Sequence, residues 1–445
     1  MHPPALRASL VADSCSGEQG REAAPSPPLM SLVANSRIQD LFGIRDESDP
    51  GVWDEATVRA SECLPPAARP RAQVDAALQV AELVLLEGQY GPQHYRLNRA
   101  KRLYYRLRPL MTPAARRVLR RAVVRRGADN GGANWPVDDR YVRHAESALE
   151  AACLLQPPLL DEVRPFWPEG KRFALVLTHD VESSEGLSRI WDLVKLEERV
   201  GVRSSFNLVA GEYPVDMALV RELHARGFEV GVHGWRHDGR MFESLSRFDG
   251  ERVHINQTLR EWGAVGFRSP MTHRHPVPMQ ELSVEYDSSF FDTDPFEPIS
   301  GGVMTIWPFF MGRFVELPYT LPQDHTLIET MGETTPRLWI EKSRFIGEHG
   351  GMALLNSHPE YLCLAGNLHM YEGFLDAVCC ESDPWRALPK DVAAWWRTRH
   401  AGCHATIAGA GSGDRLGSAQ PVGASPRRAQ RLPRDSALPS TPHSF

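Results

Sequence analysis

Apolar and polar positions keep two different periods along the middle of the chain. "FALVLT", from Phe173 to Thr178, is almost wholly apolar, as in a strand buried on both faces. "GLSRIWDLVKLEERVG" follows, with Leu187, Ile190, Trp191 and Val194 at helical spacing and Gly201 placed to stop the helix. The alternation continues with strand "VRSSFNLV", helix "VDMALVRELHARG" and strand "FEVGVH". Later strands are "AVGFR", "FVELPYT" and "MALLNSH", and "TPRLWIEKSRFIG" reads as a helix between the last two. Strand alternating with helix predicts a parallel sheet with helices outside it, in enough units to close an α/β barrel. Asp180, Glu182, His233, Arg268 and His358 each stand at the C-terminal end of a predicted strand. In a parallel barrel those ends converge on one face, and that face carries the chemistry.

The flanks lose this alternation. Residues 1–35 and 405–445 are rich in Pro, Ser, Ala and Gly and read as disordered tails. Residues 36–160 read as a mainly helical, basic N-terminal region, and 161–400 as the barrel. "AQVDAALQVAELVLLEGQYG" has helical spacing, and from Arg96 to Arg126 no acidic residue occurs while Arg and Lys recur. Pro109 and Pro113 divide that basic stretch into two helices. A solvated face packed on the barrel is one reading, and contact with an anionic membrane surface is another. The net charge of -6 and the lack of a binding motif argue against nucleic acid.

Composition changes the picture little. With 42% hydrophobic and 24% charged residues, the chain can bury a large core. No run of 18 apolar residues occurs, so no membrane-spanning helix is expected. The first residues make a poor secretory signal. The expectation is a cytoplasmic protein, peripheral to the inner membrane at most. The 7 cysteines form no C-x-x-C pair and read as thiols rather than a disulfide framework.

The polar clusters carry the chemistry. In "THDVE", Asp180 and Glu182 are two apart, so an extended chain points both to one side and Val181 to the other. One carboxylate can bind a metal while its neighbour takes a proton from the attacking water. "HGWRH" places His233 and His237 four apart, on one face if the segment is helical. Two imidazoles and a carboxylate with open positions make a catalytic metal site. Arg268 of "GFRSP" can clamp a catalytic carboxylate in bidentate fashion. His358 of "LLNSHPEY" can protonate a leaving amine.

Taken in order, "LTHDVE", "HGWRH", "GFRSP", "YDSSF" and "LLNSHPEY" resemble the five motifs of the polysaccharide deacetylases, the NodB-type carbohydrate esterases. The resemblance covers about half the chain. It implies a distorted (β/α) barrel with an N-terminal helical extension, acting as a hydrolase on non-peptide carbon–nitrogen bonds. The reaction it implies is removal of acetyl groups from an N-acetylated glycan or sugar precursor with a divalent metal, zinc first. It also implies roles: Asp180 as base, Glu182, His233 and His237 as metal ligands, Arg268 as the residue orienting the base. His358 would be the acid, Asp287 of "YDSSF" the residue tuning it, and the N–H of Met271 a donor to the oxyanion. The basic helices would then dock on membrane or on a glycan-synthesis complex.

This sequence departs from the family in three places. The carboxylates of the first motif are split and the second is Glu, which leaves open that Asp180 binds the metal while His179 or Glu182 is the base. Met271 stands where an aromatic is usual. "FVELPYTLPQDH" brings Asp324 and His325 toward the same face, where they are expected to shape the substrate groove. Two other readings stay open: hydrolysis of a small C–N bond such as a cyclic amide, and a glycan binder without turnover.

Overall fold

In a computed structural model, the described residues are 29–44, 49–91, 94–97, 103, 107, 111, 134–299, 301–364, 366–381 and 384–404. Nine strands form one sheet: β1 Ala174–Val181, β2 Ser205–Leu208, β3 Glu229–Val232, β4 Gly266–Phe267, β5 Tyr286–Asp287, β6 Phe309–Met311, β7 Phe314–Glu316, β8 Met352–Ser357 and β9 Trp385–Ala387. Their order is β6-β7-β5-β4-β3-β2-β1-β8, with β9 pairing the start of β1. Every pairing is parallel except the short β6–β7 hairpin. The sheet therefore curls into the distorted (β/α) barrel that the alternation predicts.

Closure does not use a ladder of strands. After β7 the chain runs on to Thr320 and Leu321, whose N–H groups both donate to Leu354 O of β8 at 3.1 and 3.0 Å. The Thr320 hydroxyl accepts from Leu354 N at 3.0 Å, which strengthens the seam. Pro318 and Pro322 flank this stretch, and proline cannot donate to a ladder, so the wall closes through irregular backbone.

β1 pairs β2, β8 and β9, and all eight of its residues are buried. The helix Ser184–Val200 follows it, capped at the start by Ser183 Oγ accepting from Gly186 N and stopped by Gly201 in the left-handed region (φ 80°). Its Ile190, Leu193 and Val194 are fully buried, each worth roughly 1.5–3 kcal/mol of transfer free energy. The helix Leu245–Trp262 is built in the same way, with Ser244 and Gly263 as its caps.

One sequence expectation changes. Leu32 and Val33 fall within the expected tail 1–35, yet both are buried, and Ser36 hydrogen-bonds Phe310 N and O. The helices Pro50–Ala60, Ala76–Leu85 and Arg140–Leu155 share one hydrophobic core with the barrel. β5, β6 and β9 were not legible as strands, being two or three residues long. The expected basic helices between Arg96 and Arg126, and the expected tail 405–445, lie outside the described residues apart from a few positions. No helix among the described residues is long and apolar enough to cross a membrane. The described cysteines are free thiols.

Candidate active site

The strand ends meet as the barrel requires. Glu182 follows β1, His233 follows β3, and His237 lies in the loop beyond it. One donor atom from each of the three lies within 4.8 Å of the others. The segment from His233 to His237 is not helical: Gly234 turns it at φ 71°, and the two rings sit 5.3 Å apart by loop geometry. A glycine is needed there, since a Cβ on Gly234 would stand 2.5 Å from Pro270 Cγ.

The three donors fit a divalent metal. His233 is 1% exposed, and its Nδ1 lies 3.1 Å from Arg268 O. That contact fixes the tautomer with the proton on Nδ1 and leaves a lone pair on Nε2. Nε2 is buried and meets no hydrogen-bond partner among the described residues. Burial holds the His233 pKa down at about 4, so the ring is neutral, as a ligand must be. His237 Nε2 lies 2.9 Å from Glu182 Oε1. Burial alone would raise the Glu182 pKa, but His237, His358 and His233 hold it well below the usual carboxylate range.

Asp180 stands beside this set and is 2% exposed. Its Oδ1 accepts from Asn207 Nδ2 at 2.8 Å and from Arg268 Nη1 at 3.1 Å. Its Oδ2 faces His233 Nε2 at 3.9 Å. Against the cost of burial, the charges of Arg268, His233 and His358 bring its pKa to about 2. The Arg268 contact is not bidentate, as the sequence reading expected. Nη1 is shared among Asp180, Thr178 Oγ1 and Asn356 Oδ1, and Nε donates to Ser288 O.

His358 approaches from β8. Its Nε2 is 3.7 Å from Glu182 Oε1, and its Nδ1 is 2.8 Å from Asp324 Oδ1. Asp324 Oδ2 also accepts the His358 N–H at 2.8 Å. Burial would lower the His358 pKa, but Asp324, Glu182 and Asp180 raise it to about 10, so the ring is an imidazolium at neutral pH. Asp324 opens the π-helix His325–Met331, a rare geometry found often at functional sites.

Asp287 does not make the contact assigned to it from sequence. Its oxygens accept from Ser289 N and Oγ at 3.0 and 2.8 Å, and its carboxyl meets Glu316. Burial raises the pKa of both acids, and that of Glu316 is raised further by the neighbouring Asp287. The side chain that holds His358 is Asp324. Met271 sits in the turn Pro270–Thr272 with φ 56°, and Thr272 follows at φ 50°. Non-glycine residues in that region cost roughly 1–3 kcal/mol each. His325 packs edge-on to His358 at 6.5 Å between ring centres.

Sequence reasoning passed over Asn207, Asn356, Thr178 and Glu360. The first three are polar residues inside buried strands, a signal that was present. Glu360 Oε1 accepts from Glu182 N at 3.0 Å and from Ser183 N and Oγ at 2.8 Å each. It thereby ties the end of the fifth motif to the backbone that carries Glu182.

No protein-family model and no curated relative matches the chain. Similar folds occur among solved structures. One is assigned as a polysaccharide deacetylase from Mycobacterium smegmatis, at 19% identity and a TM-score of 0.43, covering 52% of this chain and 93% of the other. A second is assigned as a polysaccharide deacetylase from Pseudomonas aeruginosa PAO1, at 19% identity, TM-score 0.42, with 53% and 94% covered. A third is Puue allantoinase, at 16% identity, TM-score 0.42, with 53% and 94% covered.

Proposed function

We propose that the chain is a metal-dependent deacetylase that hydrolyses the N-acetyl amide of a glycan or sugar precursor and releases acetate. The observation that carries this reading is that an anionic and a cationic group both border one donor set. An ionised Asp180 faces His233 Nε2 at 3.9 Å, and a protonated His358 faces Glu182 Oε1 at 3.7 Å. Glu182, His233 and His237 would hold a divalent ion, zinc first, which when bound supplies a Lewis acid that polarises an amide carbonyl and acidifies water.

The chain's own residues then divide the proton transfers. Asp180 takes the proton of the attacking water at Oδ2, the oxygen that Arg268 and Asn207 leave open. The charges around Asp180 keep it ionised and so able to accept a proton. Arg268 keeps Asp180 ionised and fixes its rotamer. His358 gives its Nε2 proton to the departing amine, and Asp324 stabilises the imidazolium until then. The N–H of Met271 is the assigned donor to the acetyl oxygen as negative charge develops there.

The test is acetate release from chitooligosaccharides and N-acetylated exopolysaccharide, with the metal-free and zinc-loaded protein. Release that requires zinc supports the reading. No release across a broad panel from zinc-loaded protein overturns it. Hydrolysis of cyclic amides in the same panel, without acetate release, would move the assignment to a small C–N bond.

A further inference from the structure

A buried ion pair ties the N-terminal region to the turn that carries Met271. Glu87 follows the helix Ala76–Leu85 and is 1% exposed, while Arg274 is fully buried. Arg274 Nε donates to Glu87 Oε2 at 2.7 Å and Nη2 donates to Oε1, a two-point contact. The N–H of Gly302 adds a donor to Oε1 at 2.7 Å, and His94 Nε2 stands 3.5 Å from Oε2. Arg274 Nη1 reaches the other way, to the carbonyl of Thr272 at 3.2 Å. The guanidinium lies 4.5 Å over the Phe291 ring and 5.2 Å over Phe290, just past β5.

The turn needs such a hold. Met271 and Thr272 are consecutive non-glycine residues in the left-handed region, and Thr272 is β-branched, which makes it a true outlier there. Glu87 is itself left-handed, at φ 53°. Strain of this kind persists only where the surroundings over-determine it. The turn also borders the metal donors: Pro270 packs over Gly234, and a Cβ on Gly239, two residues past His237, would stand 2.8 Å from Met271 Sδ. On its far side Thr272 Oγ1 donates to Glu297 Oε2 at 2.6 Å.

A buried ion pair is weak evidence for stability, since apolar residues of equal volume often serve as well. What an apolar pair lacks is direction. The carboxylate fixes the guanidinium plane, and that plane aims Nη1 at Thr272 O.

We propose that Glu87 is a positioning residue: through Arg274 it holds the turn Pro270–Thr272 in the strained conformation that sets the Met271 backbone at the active site. The N-terminal region is then part of the catalytic apparatus rather than an appendage. This rests on the deacetylase reading for its effect on turnover, but the hold on the turn stands apart from it.

The experiment uses the full chain with Glu87→Gln and with the double variant Glu87→Leu/Arg274→Met, which buries no unpaired charge. Should the single variant fail to fold, the double variant decides. Three quantities are measured: amide exchange of residues 269–276, zinc affinity by titration with the metal alone, and kcat and KM for acetate release. The expected result is exchange about tenfold faster in the turn. Zinc affinity stays unchanged, and kcat falls by up to about 100-fold with KM little altered. A folded double variant with wild-type exchange in the turn overturns the proposal, as does one with wild-type kcat. If the wild type releases no acetate, the deacetylase reading fails while the exchange measurement still decides the role of Glu87.

Discussion

Asp180 and His358 are set in opposite charge states by neighbours that come from distant parts of the chain. Asp324→Asn removes the anion from His358 and is expected to lower kcat by up to about 100-fold. Asp287→Asn, which touches Ser289 and Glu316 instead, is expected to cost less. Steady-state kinetics on the two variants decide, and the reverse order would return the tuning role to Asp287. Glu182→Ala and His233→Ala are each expected to abolish stoichiometric zinc, read by metal analysis of the purified protein. Gly186→Ala would drive a methyl into the Glu360 carboxylate that holds the Glu182 backbone. The expected loss is about 1–3 kcal/mol in denaturant unfolding, with weaker zinc binding. Most of the residues now placed around the donor set were legible because a polar group at the end of an apolar strand has few structural uses. Asp324 was visible only as a neighbour of the site. Its partner is fixed by a barrel seam, and no local spacing encodes that seam.

At the level of elements, the long periods were readable, as were β4 and β7, while β5, β6 and β9 were not. β1, β8 and the helix Ser184–Val200 carry many consecutive buried positions and a cap at a fixed offset, so local sequence determines them. β5 is two residues long and is defined by its pairing with β4 and β7 rather than by a local pattern. The spacing of His233 and His237 would put both on one face if the segment between them were helical. Gly234 and the packing of Pro270 choose otherwise. The helix Arg140–Leu155 yields a pH prediction. His144 is fully buried with Nδ1 3.1 Å from Ala60 O, and burial lowers its pKa to about 4. A depressed histidine contributes stability above its unfolded value near 6.5, and that contribution is lost as pH falls toward 4. Unfolding free energy is expected to drop by up to about 3 kcal/mol across that window. His144→Gln should flatten the profile in urea titrations at stepped pH.

Across the whole molecule, one hydrophobic core joins the N-terminal helices to the barrel. A fragment beginning at residue 161 would expose the faces that Trp53, Val84 and Val142 now cover. It is expected to be insoluble and the full chain monodisperse; a soluble fragment with native exchange protection would refute this. The barrel wall is uneven in a way that bears on motion. Its seam at Thr320 and Leu321 has few rungs, and three residues later the same backbone delivers Asp324 to His358. Asp324, the partner of His358, therefore stands on irregular backbone of the wall, while Glu182 and His233 follow β1 and β3, each paired to β2 over four residues. Slow breathing of the barrel would uncouple His358 from its carboxylate and leave the donor set in place. On the deacetylase reading, such breathing would interrupt turnover and leave a bound ion in its place.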